Sequence, residues 1–123
     1  MRKRWVGWLL SLFSLLSFHP LGATTHHPQA FLDRIQGTKE EGREIVQHFC
    51  ATCHAEHPQI VLGAPRIRHP EDWVERCKQD SALLWQHTNE GYHAMPARGG
   101  CFECTDDQLK KAILILLEAC RSS

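Results

Sequence analysis

The spacing of hydrophobic and polar positions predicts helices along the chain. Apolar residues recur at helical intervals in a segment that begins near residue 38 and in a last segment that begins near residue 105. The apolar face comprises Gly42, Ile45, Val46 and Phe49 in the first segment, and Leu109, Ala112, Ile113, Leu116, Leu117 and Cys120 in the last. No segment alternates convincingly with the period of a strand. The pattern therefore predicts an all-α fold.

Local signals predict where the helices begin and end. Thr38 and Thr105 each stand three residues before a Glu or Gln, which is the spacing of a capping box. A short helix over Pro70–Cys77 would carry proline in its first turn, and a further helix over Ser81–Glu90 would end at a glycine. Residues 57–65 contain two prolines and a glycine without periodicity, so we expect a loop there.

The first 23 residues have the pattern of a Sec-type signal peptide. Three basic residues precede a run without charge over residues 5–18, and Ala23 stands before the expected cut. This run is shorter than the roughly 20 residues of a spanning helix, although an uncleaved anchor is the alternative. After it, residues 24–37 form a polar extension with a single helical turn, and residues 38–123 form one small domain. We expect export to the periplasm.

The charge balance gives no indication of a nucleic-acid partner. The chain has 14 Lys and Arg residues and 14 Asp and Glu residues. Removal of the leader would take away Arg2, Lys3 and Arg4, which leaves 11 basic residues against 14 acidic ones, a net charge near −3. A nucleic-acid-binding domain would instead be strongly basic.

The segment Cys50-Ala51-Thr52-Cys53-His54 carries the most specific chemistry in the sequence. The two thiols can each add to a vinyl group of haem, and His54 can bind the iron as one axial ligand. A zinc site or a thioredoxin-type redox site could use the same five residues. The export signal favours haem, because bacteria attach c-type haem outside the cytoplasm.

Met95 is the best candidate for the second axial ligand. Once Met1 is removed with the leader it is the only methionine, and it lies 41 residues after His54 in a loop over residues 91–100. A lone methionine often only fills a gap in a core, which is the alternative role. His48, His57 and His93 could also bind iron, but we expect them to be surface residues.

These motifs resemble the class I cytochromes c, and among them the cytochrome c5 group. The resemblance covers roughly residues 42–116. It rests on the motif around Cys50, on Gly63-Ala64-Pro65, Trp73 and Gly91, and on the run Met95-Pro96-Ala97-Arg98-Gly99-Gly100-Cys101-Phe102-Glu103-Cys104. It implies a small single-domain fold whose helices surround one covalently attached haem c.

The resemblance also implies roles for individual residues. Haem would be attached through Cys50 and Cys53, with His54 and Met95 as axial ligands. The carbonyl of Pro65 would accept a hydrogen bond from the proximal imidazole, a contact that orients a ligand and tunes its basicity.

A disulfide between Cys101 and Cys104 is implied as well. Without the resemblance, this pair could be a structural bridge, half of a zinc site or a redox-active pair. An oxidising compartment favours the bridge.

Other positions leave alternatives open. Arg98 would either bind a haem propionate or face solvent, and Trp73 would either pack on the haem edge or fill the core. Ile115 departs from the family, which usually has an aromatic residue there to cross the first helix. Cys77 and Cys120 are also outside the family pattern, and they could be buried thiols, a second disulfide or an intermolecular pair.

The sequence therefore predicts a monohaem c-type cytochrome that carries single electrons and is not an enzyme. The implied partners are redox proteins of a respiratory chain, such as a terminal oxidase or a periplasmic reductase, with association at a membrane surface and a monomeric or dimeric state left open. One alternative is a haem protein whose labile sixth site senses or reduces a small ligand. Another is a thiol–disulfide redox protein that uses Cys101 and Cys104.

Overall fold

The computed structural model describes residues 27–121, in which the regular secondary structure is entirely helical. The α-helices in this range are α1 (Pro28–Ile35), α2 (Glu41–Ile45), α3 (Ala51–His54), α4 (Pro70–Cys77), α5 (Ser81–Glu90) and α6 (Asp106–Leu116). A π-helical turn (Val46–Cys50) joins α2 to α3, and 3₁₀ turns cover Ala97–Gly100 and Leu117–Arg121. The predicted all-α class is confirmed.

The predicted signal peptide lies outside the described residues, as do the first residues of the predicted extension. Within residues 27–121, none of the helices has both the length and the apolar character needed to cross a membrane.

Helices α2 and α6 cross at the centre of the hydrophobic core. A Cβ atom at Gly42 would lie only 2.8 Å from the carbonyl oxygen of Lys111 and 3.1 Å from Cγ1 of Ile115, so glycine allows the close approach. The buried apolar residues around this crossing are Leu32, Ile35, Ile45, Val46, Leu109 and Ala112. Ile115, at the position where the resemblance leads us to expect an aromatic residue, packs directly on the first of the two helices.

Helix α1 belongs to this core. Pro28 stands in its first turn, where the missing amide hydrogen costs no helical hydrogen bond. Leu32 is only 1% exposed and Ile35 is also buried. The helix spans eight residues, so the prediction of a single turn is wrong. The extension is held to the domain because its apolar residues at helical spacing bury against α2 and α6.

The two predicted capping boxes have different outcomes. The box at Thr105 is confirmed, since its side chain accepts from the amide of Gln108 and the Gln108 side chain accepts from the amide of Thr105. The box at Thr38 is wrong, because α2 begins only at Glu41. The Glu41 carboxylate instead accepts hydrogen bonds from the Gly37 amide (3.0 Å) and from the Lys111 ammonium (2.5 Å).

The remaining predicted elements agree with the structure. The helices over Pro70–Cys77 and Ser81–Glu90 are confirmed, and residues 57–65 form a loop without regular structure. A disulfide between Cys77 and Cys120 ties α4 to the C-terminal 3₁₀ turn, with the two Cα atoms 5.5 Å apart. Of the three possibilities considered for these cysteines, the structure shows the second disulfide.

Candidate functional site

The Cys50–His54 motif lies at the end of one continuous helical segment. The π-helical turn ends at Cys50, and α3 carries Cys53 and His54. Of the six cysteines, four form disulfides, while Cys50 and Cys53 are reduced. Burial raises the pKa of Cys50 to about 11, and the neighbouring Cys53 thiol adds to the effect. A thioredoxin-type nucleophile needs a lowered thiol pKa, so this environment disfavours that alternative.

His54 is held in one orientation by its neighbours. The side chain is buried, and its Nδ1–H donates to the carbonyl oxygen of Pro65 at 2.7 Å. Burial lowers the pKa of His54, the bond to Pro65 opposes this, and the charge of Arg76 lowers the pKa again. The neutral imidazole is the form that binds a metal, and with Nδ1 engaged the nitrogen left for iron is Nε2.

Trp73 lies directly behind this imidazole. Its side chain is buried, and the two rings are nearly parallel, with centroids 6.1 Å apart and planes 27° apart. The indole Nε1–H donates to the carbonyl oxygen of Arg66 at 2.8 Å. Trp73 therefore supports His54 from the side of α4 and also holds the segment that begins at Pro65.

Arg66 and Asp72 form a second link between this segment and α4. Asp72 Oδ2 accepts from the Arg66 amide (3.0 Å) and from Nε (2.8 Å). These hydrogen bonds, together with the charge of Arg66, lower the pKa of Asp72 to about 2. This pair belongs to no motif that the sequence displays. The available signal was an arginine directly after Pro65 and an aspartate in the first turn of α4.

The loop that carries Met95 is closed by a short backbone bridge. The amide of Met95 donates to the carbonyl of Tyr92 at 2.9 Å, and the amide of Tyr92 donates to the carbonyl of Met95 at 3.1 Å. Gly91 has a φ of +89°, and a Cβ atom there would lie 2.9 Å from the Met95 carbonyl oxygen. Met95 is half-buried. This loop presents a defined thioether position in the part of the chain where the sequence predicts the sixth ligand.

Arg98 binds protein groups instead of facing solvent. Its Nη1 donates to Asn89 Oδ1 at 2.7 Å, and its Nη2 donates to the Cys104 carbonyl oxygen at 2.6 Å. Nη1 also lies 3.1 Å from Asp106 Oδ1. The guanidinium thus binds three protein groups. The contact of Arg98 with a haem propionate stays a prediction.

Cys101 and Cys104 are joined by a disulfide just after the Met95 loop, with their Cα atoms 5.4 Å apart. The two residues are 1% and 4% exposed. Thiol–disulfide exchange requires an attacking thiolate to reach a sulfur atom, and burial prevents this. The surroundings therefore favour a structural bridge over a redox-active pair.

An open cleft of about 760 Å³ lies beside Cys53. The loop before Pro65 lines one side, and Arg66 and Arg76 line another. Ile60, Val61 and Leu62 in this loop are exposed, and the amide of Ile60 donates to the carbonyl of Thr52 within the Cys50–His54 motif. The structure thus places a small exposed apolar surface next to the candidate haem attachment.

The alternative histidine ligands lie at the surface, as expected. His48 is exposed and lies 3.6 Å from a Glu44 carboxylate oxygen. His57 is exposed, and His93 is exposed with its ring against that of Tyr92. In the described part of the chain, no group of three or more His, Cys, Asp and Glu side chains is arranged to hold a free metal ion.

The residues of the site fit a covalently bound haem. Cys50 and Cys53 supply two reduced sulfurs close to an imidazole whose Nε2 is left for iron. Met95 supplies a thioether, and imidazole with thioether is a known axial pair of c-type haem. Bound haem would supply a one-electron iron centre. Cys50 and Cys53 are the candidates for its attachment, and His54 and Met95 are the candidates for its axial ligands.

Comparison with known proteins identifies the family of the chain. A family model described as cytochrome c oxidase, cbb3-type, subunit III matches residues 37–114. The chain is 34% identical over 79 residues to cytochrome c5 of Ectopseudomonas mendocina. The aligned region covers 63% of this chain and 87% of the relative. It is 33% identical over 79 residues to cytochrome c5 of Azotobacter vinelandii. That aligned region covers 63% of this chain and 92% of the relative.

Another cytochrome is similar over a shorter part of the chain. Cytochrome c-551 of Halorhodospira halophila is 39% identical over 66 residues, which covers 54% of this chain and 81% of the relative. No solved structure matches the chain with significance. The chain belongs to the cytochrome c family that this model describes, and within it the chain is a class I cytochrome c similar to cytochrome c5.

Proposed function

We propose that Cys50 and Cys53 attach the haem through thioether bonds and that His54 and Met95 are its axial ligands. The observation that carries the assignment is the 2.7 Å bond from His54 Nδ1 to the Pro65 carbonyl, next to two reduced cysteines. This bond orients the imidazole and leaves Nε2 for iron. Met95 lies in the backbone-bridged loop that would bring the thioether to the other axial position.

Membership of the family sets the general chemistry. The chain carries one covalently attached haem c, exchanges electrons with redox partner proteins and is not an enzyme. The protein's own contribution is to keep both axial ligands in place in the oxidised and the reduced states. The Pro65 carbonyl and the Trp73 ring hold His54, while the Tyr92–Met95 bridge holds the backbone that carries the thioether. Ligands that stay in place reduce the rearrangement that accompanies each electron transfer.

We propose that partners dock where the apolar loop Ile60, Val61 and Leu62 adjoins Cys53. The loop is exposed, and it is anchored to the haem motif through the bond from the Ile60 amide to the Thr52 carbonyl. Redox partners associate through small and weak interfaces, which allow rapid release. A terminal oxidase or a periplasmic reductase of a respiratory chain fits this role.

We place the protein in the periplasm. The basic and then uncharged pattern of residues 1–23 is that of an exported protein. Two disulfides in a small domain also fit an oxidising compartment. Both observations agree with the site, because haem is attached to c-type cytochromes outside the bacterial cytoplasm.

Replacement of Met95 tests the ligand assignment. The protein is expressed with a haem-attachment system, covalent haem is verified, and the oxidised near-infrared spectrum is recorded for the methionine-to-iron charge-transfer band. We expect the band in the wild type, its loss in Met95→Ala, and its retention in His93→Ala, the matched control on the same loop.

A wild-type spectrum without this band would contradict the assignment. It would mean that the sixth position is open or bound by another residue, and a protein that senses or reduces a small ligand would become the better interpretation. If the spectrum of such a protein changed in His93→Ala, His93 would be identified as the ligand.

A further inference from the structure

We infer that Arg98 is the positioning residue of the Met95 loop: its guanidinium ties the loop to α5 and to the start of α6, and so controls how firmly the thioether is held on iron. This inference rests on the proposed role of Met95 as the axial ligand. It assigns a function to Arg98 that differs from both expectations for this residue, a propionate contact and exposure to solvent.

The backbone at Arg98 has an uncommon conformation. Arg98 has a φ of +58° and the following Gly99 has a φ of +59°. Left-handed backbone is rare for residues other than glycine, asparagine and aspartate, and it persists where the surroundings impose it. A glycine would adopt this conformation more easily, and contacts of the arginine side chain can offset the strain.

The side-chain contacts of Arg98 supply that compensation. Asn89 lies in the last turn of α5, and Cys104 closes the disulfide loop. Asp106 is the first residue of α6. The Arg98 side chain is only 21% exposed, so these contacts are partly shielded from water. One guanidinium therefore connects three elements that the chain visits before and after Met95.

These contacts act close to the thioether. A Cβ atom at Gly99 would lie 3.6 Å from Cε of Met95, which places the methionine methyl group against the backbone next to Arg98. The Tyr92–Met95 bridge holds the loop where it begins, and Arg98 holds it where it ends. The Cys101–Cys104 disulfide closes only its own short segment, and the Arg98 bond to the Cys104 carbonyl couples that segment to α5.

Loss of the guanidinium would loosen one end of the loop. Asn89, Asp106 and the Cys104 carbonyl would then be hydrated separately, and the loop could move away from iron at a smaller free-energy cost. An added ligand for ferric iron competes with Met95 for the sixth position. Its apparent affinity therefore rises with the fraction of molecules in which the thioether has left.

Imidazole binding to the oxidised holoprotein measures this fraction. We expect Arg98→Leu to bind imidazole at least tenfold more tightly than the wild type and to show a weaker methionine-to-iron band. The affinity of Arg98→Lys for imidazole should lie between those of the wild type and Arg98→Leu. One ammonium group reaches fewer of the partners than a forked guanidinium does.

Arg68→Leu is the matched control. Arg68 also has a positive φ, of 65°, so leucine meets the same backbone strain and the same charge is lost. Its side chain is 79% exposed and lies 3.5 Å from Glu56. We expect imidazole to bind this variant within twofold of the wild-type affinity.

Several outcomes would overturn the inference. Arg98→Leu could bind imidazole within twofold of the wild-type affinity while the wild type shows the methionine band; Met95 would then remain the ligand and Arg98 would not position it. A changed reduction potential with unchanged imidazole affinity would instead assign Arg98 to a haem propionate. A wild type without the band would remove the proposed function together with this inference.

A milder variant tests the inference if Arg98→Leu cannot be produced as a haem-containing protein. Asn89→Ala removes a single acceptor of the guanidinium and leaves the net charge unchanged. We expect imidazole to bind at least threefold more tightly to this variant than to the wild type. An unchanged affinity in Asn89→Ala would likewise contradict the role of Arg98.

Discussion

At the scale of single residues, the support of His54 depends on side chains that its own helix does not contain. Pro65 accepts the bond from the imidazole, and the next residue, Arg66, is fixed by Asp72 and by the indole of Trp73. A change at Asp72 should therefore act through the segment that orients the candidate ligand. The charge state of Asp72 links this support to pH.

Asp72→Asn should flatten the acid dependence of stability. The bonds from Arg66 lower the pKa of Asp72 from 3.8 to about 2 in the folded protein. The stabilisation from this carboxylate is therefore complete above its unfolded pKa of 3.8 and is lost as the pH falls through about 2. We expect the variant to be less stable near neutral pH and to converge with the wild type in acid. Urea unfolding of the holoprotein at several pH values measures this.

Glu75→Gln is the control for this prediction, because its carboxylate binds Lys78 at the exposed surface. Surface pairs of this kind contribute little to stability. Equal pH slopes for Asp72→Asn and the wild type would show that the Arg66 pair does not stabilise the fold.

The candidate haem residues can be proposed from the sequence at this scale. Cys50, Cys53 and His54 are recognisable because attachment of haem uses two cysteines three positions apart followed by a histidine, and Met95 because no other methionine follows the leader. Their roles stay predictions. The partners of Arg98 could not be predicted, because Asn89, Cys104 and Asp106 meet only after three elements have packed.

At the scale of elements, the crossing of α2 and α6 is the contact that most depends on one residue. Gly42 lets the backbone of α6 approach, and the nearest obstacle to a side chain is the carbonyl oxygen of Lys111. Next to it, Glu41 is 1% exposed. Burial raises the pKa of Glu41, but its bonds with Lys111 and Gly37 outweigh this and hold the pKa below its ordinary value.

Gly42→Ala should destabilise the protein. Alanine favours the helix over glycine by about 1 kcal/mol, but overpacking a tight contact costs about 1–3 kcal/mol. The obstacle is backbone, 2.8 Å from the new Cβ atom, so the helices themselves must shift. We expect a net loss of up to about 2 kcal/mol in the free energy of unfolding, measured with urea, because a backbone obstacle places the overpacking cost near the top of its range.

Trimming Ile115 should not rescue this variant. The combination Gly42→Ala with Ile115→Ala removes the side-chain contact at 3.1 Å but leaves the carbonyl oxygen of Lys111 in place. Full recovery in the double variant would show that the side chain, and not the backbone, limits the approach.

Helix ends illustrate what local patterns can predict. The Thr105 box forms because both of its partners lie within the same turn. The Thr38 spacing is equally good, yet Glu41 is drawn to Lys111, which is 70 residues away in the sequence. An ion pair between two helices, here with a buried carboxylate, can outweigh a local cap. The local pattern contains no signal for that competition.

At the scale of the whole molecule, the two disulfides constrain very different lengths of chain. Cys77–Cys120 joins residues 43 apart and ties α4 to the C-terminal turn, whereas Cys101–Cys104 joins residues only three apart. In the chain-entropy account, a bridge stabilises the fold by restricting the unfolded chain, and longer loops gain more.

Removal of Cys77–Cys120 should therefore have the larger effect on global stability. Chain entropy predicts about 4 kcal/mol for Cys77→Ser with Cys120→Ser, against about 2 kcal/mol for Cys101→Ser with Cys104→Ser. Denaturant unfolding of the two double variants provides the comparison. Equal losses, or a larger loss for the short bridge, would indicate that local packing around Cys101 and Cys104 matters more than chain entropy.

The helical class, the haem motif, the thioether candidate, the bounds of α4 and α5 and the start of α6 could be predicted from the sequence alone. These features depend on residues that are neighbours along the chain or along one turn of helix. Tertiary packing was needed to show that Cys77 pairs with Cys120, that α1 joins the core and that Arg98 binds three separate elements. Such contacts join residues on different elements, and which of them form depends on how whole helices pack.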